Sequence, residues 1–191
     1  MKNALLILII LGLVSCGNEQ KQEEDHKHSP ANAKTSPTSK ILSPNISTME
    51  IIDGAHIHID YSSPSVRDRI IFGGLVGYNQ VWQAGAHKAT WIETDKDLLI
   101  KGKTLPAGKY GFFVIPGKEK WEVMFNTRWN QHGKDDYNED ENVLTLAVTP
   151  IELKAPQESL KYEVIKGGNN SGIISLAWEK IKIEVPFVVV K

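Results

Sequence analysis

A single cysteine, Cys16, is all that the 191 residues contain. That excludes an intrachain disulfide, a C-x-x-C redox pair and a cysteine-based zinc site. Arginine is almost as scarce: Arg67, Arg69 and Arg128 stand among 22 Lys and Arg, against 23 Asp and Glu. The formal net charge of −1 leaves no basic footprint for nucleic acid. No apolar run approaches the roughly 20 residues that a membrane-spanning helix needs. The motifs G-x-S-x-G, H-E-x-x-H and G-x-G-x-x-G are all missing. Two partial motifs fail residue by residue. In GKTLPAGKY, Gly102 and Gly108 are separated by five residues rather than four, and Tyr110 stands where a phosphate loop needs Ser or Thr. Asp136, Asn138 and Asp140 have calcium-loop spacing, but Glu141 replaces the turn glycine and Ala147 the closing Glu.

What is present begins with a secretion signal. Lys2 precedes an apolar stretch from Ala4 to Val14 that ends in Leu13-Val14-Ser15-Cys16. Its length suits the hydrophobic region of a signal peptide. The tetrapeptide resembles the lipobox of bacterial lipoproteins. The resemblance implies that residues 1–15 are removed and that Cys16 is lipidated. Two or three acyl chains would hold the protein on a membrane where one chain binds only marginally. No Asp directly follows Cys16, where Gly17 stands, so the outer membrane is the expected site. Residues 16–40 read as the lipidated cysteine and a spacer. From Gly17 onward two alanines are the spacer's only apolar residues, and its four Lys balance four Asp and Glu. His26 and His28 lie there as a solvated pair.

Residues 41–191 read as one all-β domain, an antiparallel sandwich or jelly roll with one or two short helices in loops. Trp121, Val123 and Phe125 alternate with Glu122, Met124 and Asn126. Leu144, Leu146 and Val148, and then Ile181, Ile183 and Val185, repeat the pattern. Period two with one apolar face marks a half-buried strand. Ala55–Tyr61, Ala89–Thr94, Lys109–Ile115, Leu160–Ile165 and Gly172–Glu179 are further strand candidates. Turn residues at Lys101-Gly102, Pro106–Gly108, Pro116-Gly117 and Gly167–Asn170 punctuate them. Tyr78–Ala84 and Trp129–Tyr137 are at most short helices, or else structured loops.

His56, His58 and Asp60 alternate with Ile57 and Ile59. On a strand the polar three share one face. Two histidines at i and i+2, ~7 Å apart at the backbone, can converge on one Zn²⁺. A third ligand would have to come from His87 or His132. The competing reading is the wet face of an ordinary strand, and it is preferred: no metal and no cofactor is expected.

Four segments are more particular than generic strands: YSSPSVRDRIIFGGLVGYNQVWQAGAHKATWI, LPAGKYGFFVIPGKEKWEVMFN, WNQHGKDDYNED and LAWEKIKIEVPF. They resemble, in order and from about Ala55 to Phe187, the bacterial family known as domain of unknown function 2911. The resemblance implies a small secreted protein or lipoprotein and no particular activity. Where the family pattern has Trp-Arg-x-Gly-Ala-Asn, this chain has Trp82-Gln83-Ala84-Gly85-Ala86-His87.

Within these segments Tyr61, Arg67, Arg69, Trp82, His87, Thr90, Trp129, His132 and Tyr137 combine aromatic walls with a few polar donors. That is the composition of a small-ligand pocket. The expected function is therefore a lipid-anchored binding or accessory domain of the cell envelope. Its ligand would be a small molecule, or a glycan stacked on Trp129, Tyr137 and Tyr78. The alternative is an envelope hydrolase or lyase with His87 and His132 as acid and base, with or without a metal.

Overall fold

Alternation turns into strand pairing from Asn45 onward. The computed structural model describes residues 42–191. The signal segment, Cys16 and the spacer lie outside the described residues.

Among the described residues ten strands make two antiparallel sheets: β1 (Asn45–Ile52), β2 (Ala55–Ser62), β3 (Trp91–Thr94), β4 (Leu98–Ile100), β5 (Lys103–Leu105), β6 (Gly108–Ile115), β7 (Trp121–Asn126), β8 (Asn142–Val148), β9 (Ile151–Lys166) and β10 (Ser171–Val189). One sheet has six strands in the order β1-β2-β3-β6-β7-β8, and the other has four in the order β5-β4-β10-β9. Their inner faces share one core. Ile57, Ile59, Phe112, Trp121 and Val123 from the larger sheet meet Leu98, Tyr162, Leu176, Trp178 and Phe187 from the smaller. The expected all-β sandwich is what forms.

β2 shows how the pattern fixes the faces. Ala55, Ile57, Ile59 and Tyr61 are buried, while His56 is exposed and His58 and Asp60 are half-buried on the opposite face. Two hairpins are tight for a backbone reason. Asp53-Gly54 has φ of 49° and 72°, and Lys101-Gly102 has 47° and 80°. Positive φ at both central residues is the two-residue turn whose twist matches the flanking strands.

Of the two alternatives for Tyr78–Ala84 and Trp129–Tyr137, the structured loop is what forms and the short helix is not. The only helical turn among the described residues is the 3-10 turn Glu139–Glu141. Between Tyr78 and Ala84 the backbone bonds to the β6 edge instead: Trp82 N–H donates to Val114 O at 2.8 Å, and Val114 N–H returns the bond to Trp82 O at 3.0 Å. Between Trp129 and Tyr137 the chain is held by the neighbouring loop, with Ala89 N–H on Gln131 O at 3.0 Å and Gly133 N–H on His87 O at 2.6 Å. An extended segment with its polar groups already paired gains nothing by coiling.

Candidate functional site

The site begins as a fault in the smaller sheet. β10 carries its inward residues on even numbers up to Trp178 (Ile174, Leu176) and on odd numbers from Ile183 (Val185, Phe187). Such a change of phase needs an irregularity in the ladder. The β9–β10 register accordingly jumps from Ala177↔Lys161 to Glu179↔Gln157. Glu179 sits at the break with φ of 54°. Residues 158–160 of β9 bond outward instead, to the long connection between β2 and β3. Val66 N–H donates to Glu158 O at 2.8 Å and Leu160 N–H to Pro64 O at 2.9 Å. The connection, residues 63–90, is thereby stitched over the end of the sandwich where Trp178 lies.

It encloses a cleft of about 530 Å³. Trp178 and Trp82 form its aromatic base, stacked with centroids 5.6 Å apart and planes 25° apart. Phe72 packs edge-on against Trp82, Trp121 and Trp178. Leu42, Pro64, Leu75, Val76 and Val81 make apolar walls, and Arg67, Arg69, Gln80, Gln83, His87 and Lys134 the polar rim. Five of the nine non-glycine residues with positive φ among the described residues (Arg67, Asp68, Asn79, Ala84 and His87) lie in this one connection. Strain of that kind costs on the order of 1 kcal/mol or more per residue and collects at functional sites.

The lip formed by Trp82 to Thr90 is braced from below by buried bonds. Ala84 O accepts from Thr90 Oγ1 at 2.9 Å and from the Tyr162 hydroxyl at 2.8 Å. Burial pushes the Tyr162 phenol well above its usual range, so it remains a donor. Trp82 Nε1 donates to Gly85 O at 3.0 Å. A Cβ on Gly85 would lie 2.7 Å from Thr90 Oγ1, so that position must stay bare. Tyr61 lies deeper, its ring 4.7 Å from that of Tyr162 and its hydroxyl accepting Tyr162 N–H. Thus Arg67, Arg69, Trp82 and His87 line the cleft, while Tyr61 and Thr90 support it.

The other expected residues lie on the outer face of the six-stranded sheet. There the loop after β7 crosses β6, covering Phe113 and Met124 to form a second small core with Ala89. Tyr137 packs on Phe113 at 4.9 Å, and its hydroxyl accepts from Asn142 Nδ2. Trp129 and Trp91 stand 6.4 Å apart beside a smaller cleft of about 360 Å³. Lys109 Nζ lies 3.3 Å from the Trp91 ring centroid and 4.1 Å from that of Trp129. His87 borders both clefts. His132 lines neither; it is exposed and 3.5 Å from Asp135. His58 meets the edge of Trp91 at 4.9 Å. Among the described residues no three His, Cys, Asp or Glu side chains gather closely enough to hold a metal ion.

The crossing loop is closed by Arg128 and Glu141, whose Nη2 and Oε1 are 2.7 Å apart, with Thr127 Oγ1 donating to Glu141 Oε2 at 2.9 Å. The hydrogen bond from Arg128, then that from Thr127, holds the Glu141 carboxyl below its usual range. A lowered folded-state value means that this stabilisation is complete above the ordinary carboxylate range and is lost as pH falls through and below it. The protection of residues 127–141 against hydrogen exchange, corrected for the intrinsic rate at each pH, should therefore fall on acidification, and Glu141→Gln should flatten that pH dependence. An unchanged profile in the variant would contradict it.

Trp178, Gln80 and Lys134 are cleft residues that strand periodicity alone does not single out. The phase change after Trp178 is the one sequence signal that marks the first. The family model described as "Protein of unknown function (DUF2911)" matches residues 43–187. No curated protein and no solved structure matches the chain.

Proposed function

The chain belongs to the DUF2911 family, and from that premise, which assigns no activity, we propose that it is a binding or accessory domain of the cell envelope. The cleft over Trp178 holds a small molecule or a short glycan. One observation carries this reading. Trp178 is 1% exposed, and its Nε1 is the one buried side-chain polar atom without a hydrogen-bond partner among the described residues. An unmet buried donor costs about 1–3 kcal/mol. A cost of that kind on a residue lining a cleft is what an incoming acceptor would remove. The volume also falls within the range of about 300–1,000 Å³ typical of ligand pockets. No specific arrangement favours the hydrolase or lyase reading, because His132 lies outside the cleft that His87 borders.

Ligands that bind only the folded state raise its stability, by about 2.7 kcal/mol at a hundredfold excess over Kd. Small molecules and glycan fragments screened by melting temperature should include compounds that shift the wild-type domain and fail to shift Trp178→Phe. Shifts of equal size in both proteins would place the binding elsewhere.

The same proposal puts a lipid on Cys16 and the mature protein in the outer membrane. Cells fed labelled fatty acid should label the wild-type protein and not Cys16→Ala. Wild-type protein that takes up no label would overturn the anchor.

A further inference from the structure

We propose that the ligand of the Trp178 cleft is a small organic anion with an apolar body, an inference that rests on reading that cleft as a binding site. The rim carries three permanent cations, Arg67, Arg69 and Lys134, and no Asp or Glu lines the cleft at all. None of the three forms an ion pair with a carboxylate among the described residues. The nearest acid in the hydrogen-bond network is Glu158, whose Oε1 takes the Arg67 backbone N–H at 3.1 Å rather than its guanidinium.

The guanidiniums are nevertheless held in place. Arg67 Nη2 donates to Leu42 O. Arg69 donates from Nε to Val66 O at 3.0 Å and from Nη2 to Ser65 O at 2.6 Å. Carbonyls satisfy part of each five-donor fork without neutralising it. The result is positive charge with free N–H groups whose direction is fixed beforehand, which is the expensive part of binding a carboxylate or sulfonate. The strained backbone at Arg67 and Asp68, with φ of 49° and 56°, is where the chain turns to present them.

The rest of the cleft asks for hydrocarbon. Leu42 and Leu75 are 60% and 53% exposed at its edge, and Val81, Pro64 and the two indoles continue the apolar surface inward. The Trp178 N–H lies buried at the base of that region without a hydrogen-bond partner. A charged head among the cations and an apolar body over the tryptophans would meet both parts. An uncharged sugar would leave the cations unanswered, and a bare phosphate would leave the apolar walls unfilled.

The test uses phenylacetate, its uncharged isostere phenylacetamide, and acetate, each titrated into the protein while the five indole N–H resonances are followed. Phenylacetate should move the Trp178 and Trp82 signals and bind at least about tenfold more tightly than either comparator, the equivalent of one charge-assisted hydrogen bond. Lys134→Glu, a change at an exposed side chain, should weaken phenylacetate severalfold and leave phenylacetamide unaffected. Raising salt should weaken phenylacetate alone. Equal binding of acid and amide would overturn the anion inference while leaving the cleft a binding site. Equal binding of acetate and phenylacetate would remove the apolar body. If none of the three moves Trp178 or Trp82, the binding-site reading itself falls.

Discussion

Trp82→Ala should destabilise the domain by about 3–5 kcal/mol, the range for removing a buried aromatic side chain. Trp82 is 7% exposed, and its ring is the common partner of Trp178 and Phe72. Removing it leaves a void at the cleft base and strips Gly85 O of its indole donor. With total stabilities of about 5–15 kcal/mol, such a loss could take most of the margin of a domain this size. Denaturant unfolding measures it directly. Trp82→Phe should cost less, about 1–3 kcal/mol, because it keeps much of the ring contact while losing the hydrogen bond and part of the ring volume. A loss below about 1 kcal/mol for the alanine variant would mean that the connection is not anchored through Trp82.

The second large effect is expected at Gly111→Ala, on the opposite face of the same sheet. The loop after β7 passes over β6 so closely that a Cβ there would lie 3.2 Å from Arg128 O and from Trp129 Cα. It would also lie 2.7 Å from Cε2 of Phe113, a ring with no exposure and no room to swing aside. Overpacking of this kind costs about 1–3 kcal/mol. The predicted signature is local: hydrogen exchange rises in residues 127–138, and Trp129 fluorescence changes as its contact with Lys109 loosens. Ligand binding at Trp178 should survive. A variant as stable as wild type with an unaltered loop would contradict the close crossing.

Much of the sandwich was legible because its strands are half-buried and their alternation is clean. β2, β7 and β8 follow from period two, whereas β6 is buried on both faces and shows as an apolar run between turn residues. β1 was harder to see: its outward residues include Met49 at 58% and Ile51 at 44% exposure, so apolar side chains occupy both faces and blur the alternation. The Asp53-Gly54 pair ahead of the HIHID stretch was the usable signal for that hairpin. β10 reads as two strands because its apolar phase changes once. The break is a bulge, and the strand runs on through it.

The candidate site was legible only in part, for the same reason that it is interesting. Arg67, Arg69, Trp82 and His87 stand out as residue types, and the fold brings them to one cleft. Trp129, His132 and Tyr137 stand out equally, yet the crossing loop carries them to the outer face. Sequence separation gives no warning, since Lys88 bridges to His132 through backbone pairing and the two loops share both clefts, Lys134 lining the first with His87 and Trp129 the second with Lys88. Trp178 looks like any core tryptophan until its N–H is seen to lack a partner. As for the HIHID stretch, His56, His58 and Asp60 occupy the outward face of β2 while Ile57 and Ile59 are buried.

The central claim is that the indole N–H of Trp178 is kept unpaired for a ligand. The most direct test is the ¹⁵N–¹H spectrum of the five tryptophan indoles, assigned by single Trp→Phe substitutions and recorded with and without a bound ligand. The account predicts that binding shifts the Trp178 resonance most, slows its exchange with water, shifts Trp82 less, and leaves Trp91 and Trp129 in place. A Trp178 resonance that stays fixed while Trp91 and Trp129 move would contradict it and assign recognition to the outer face.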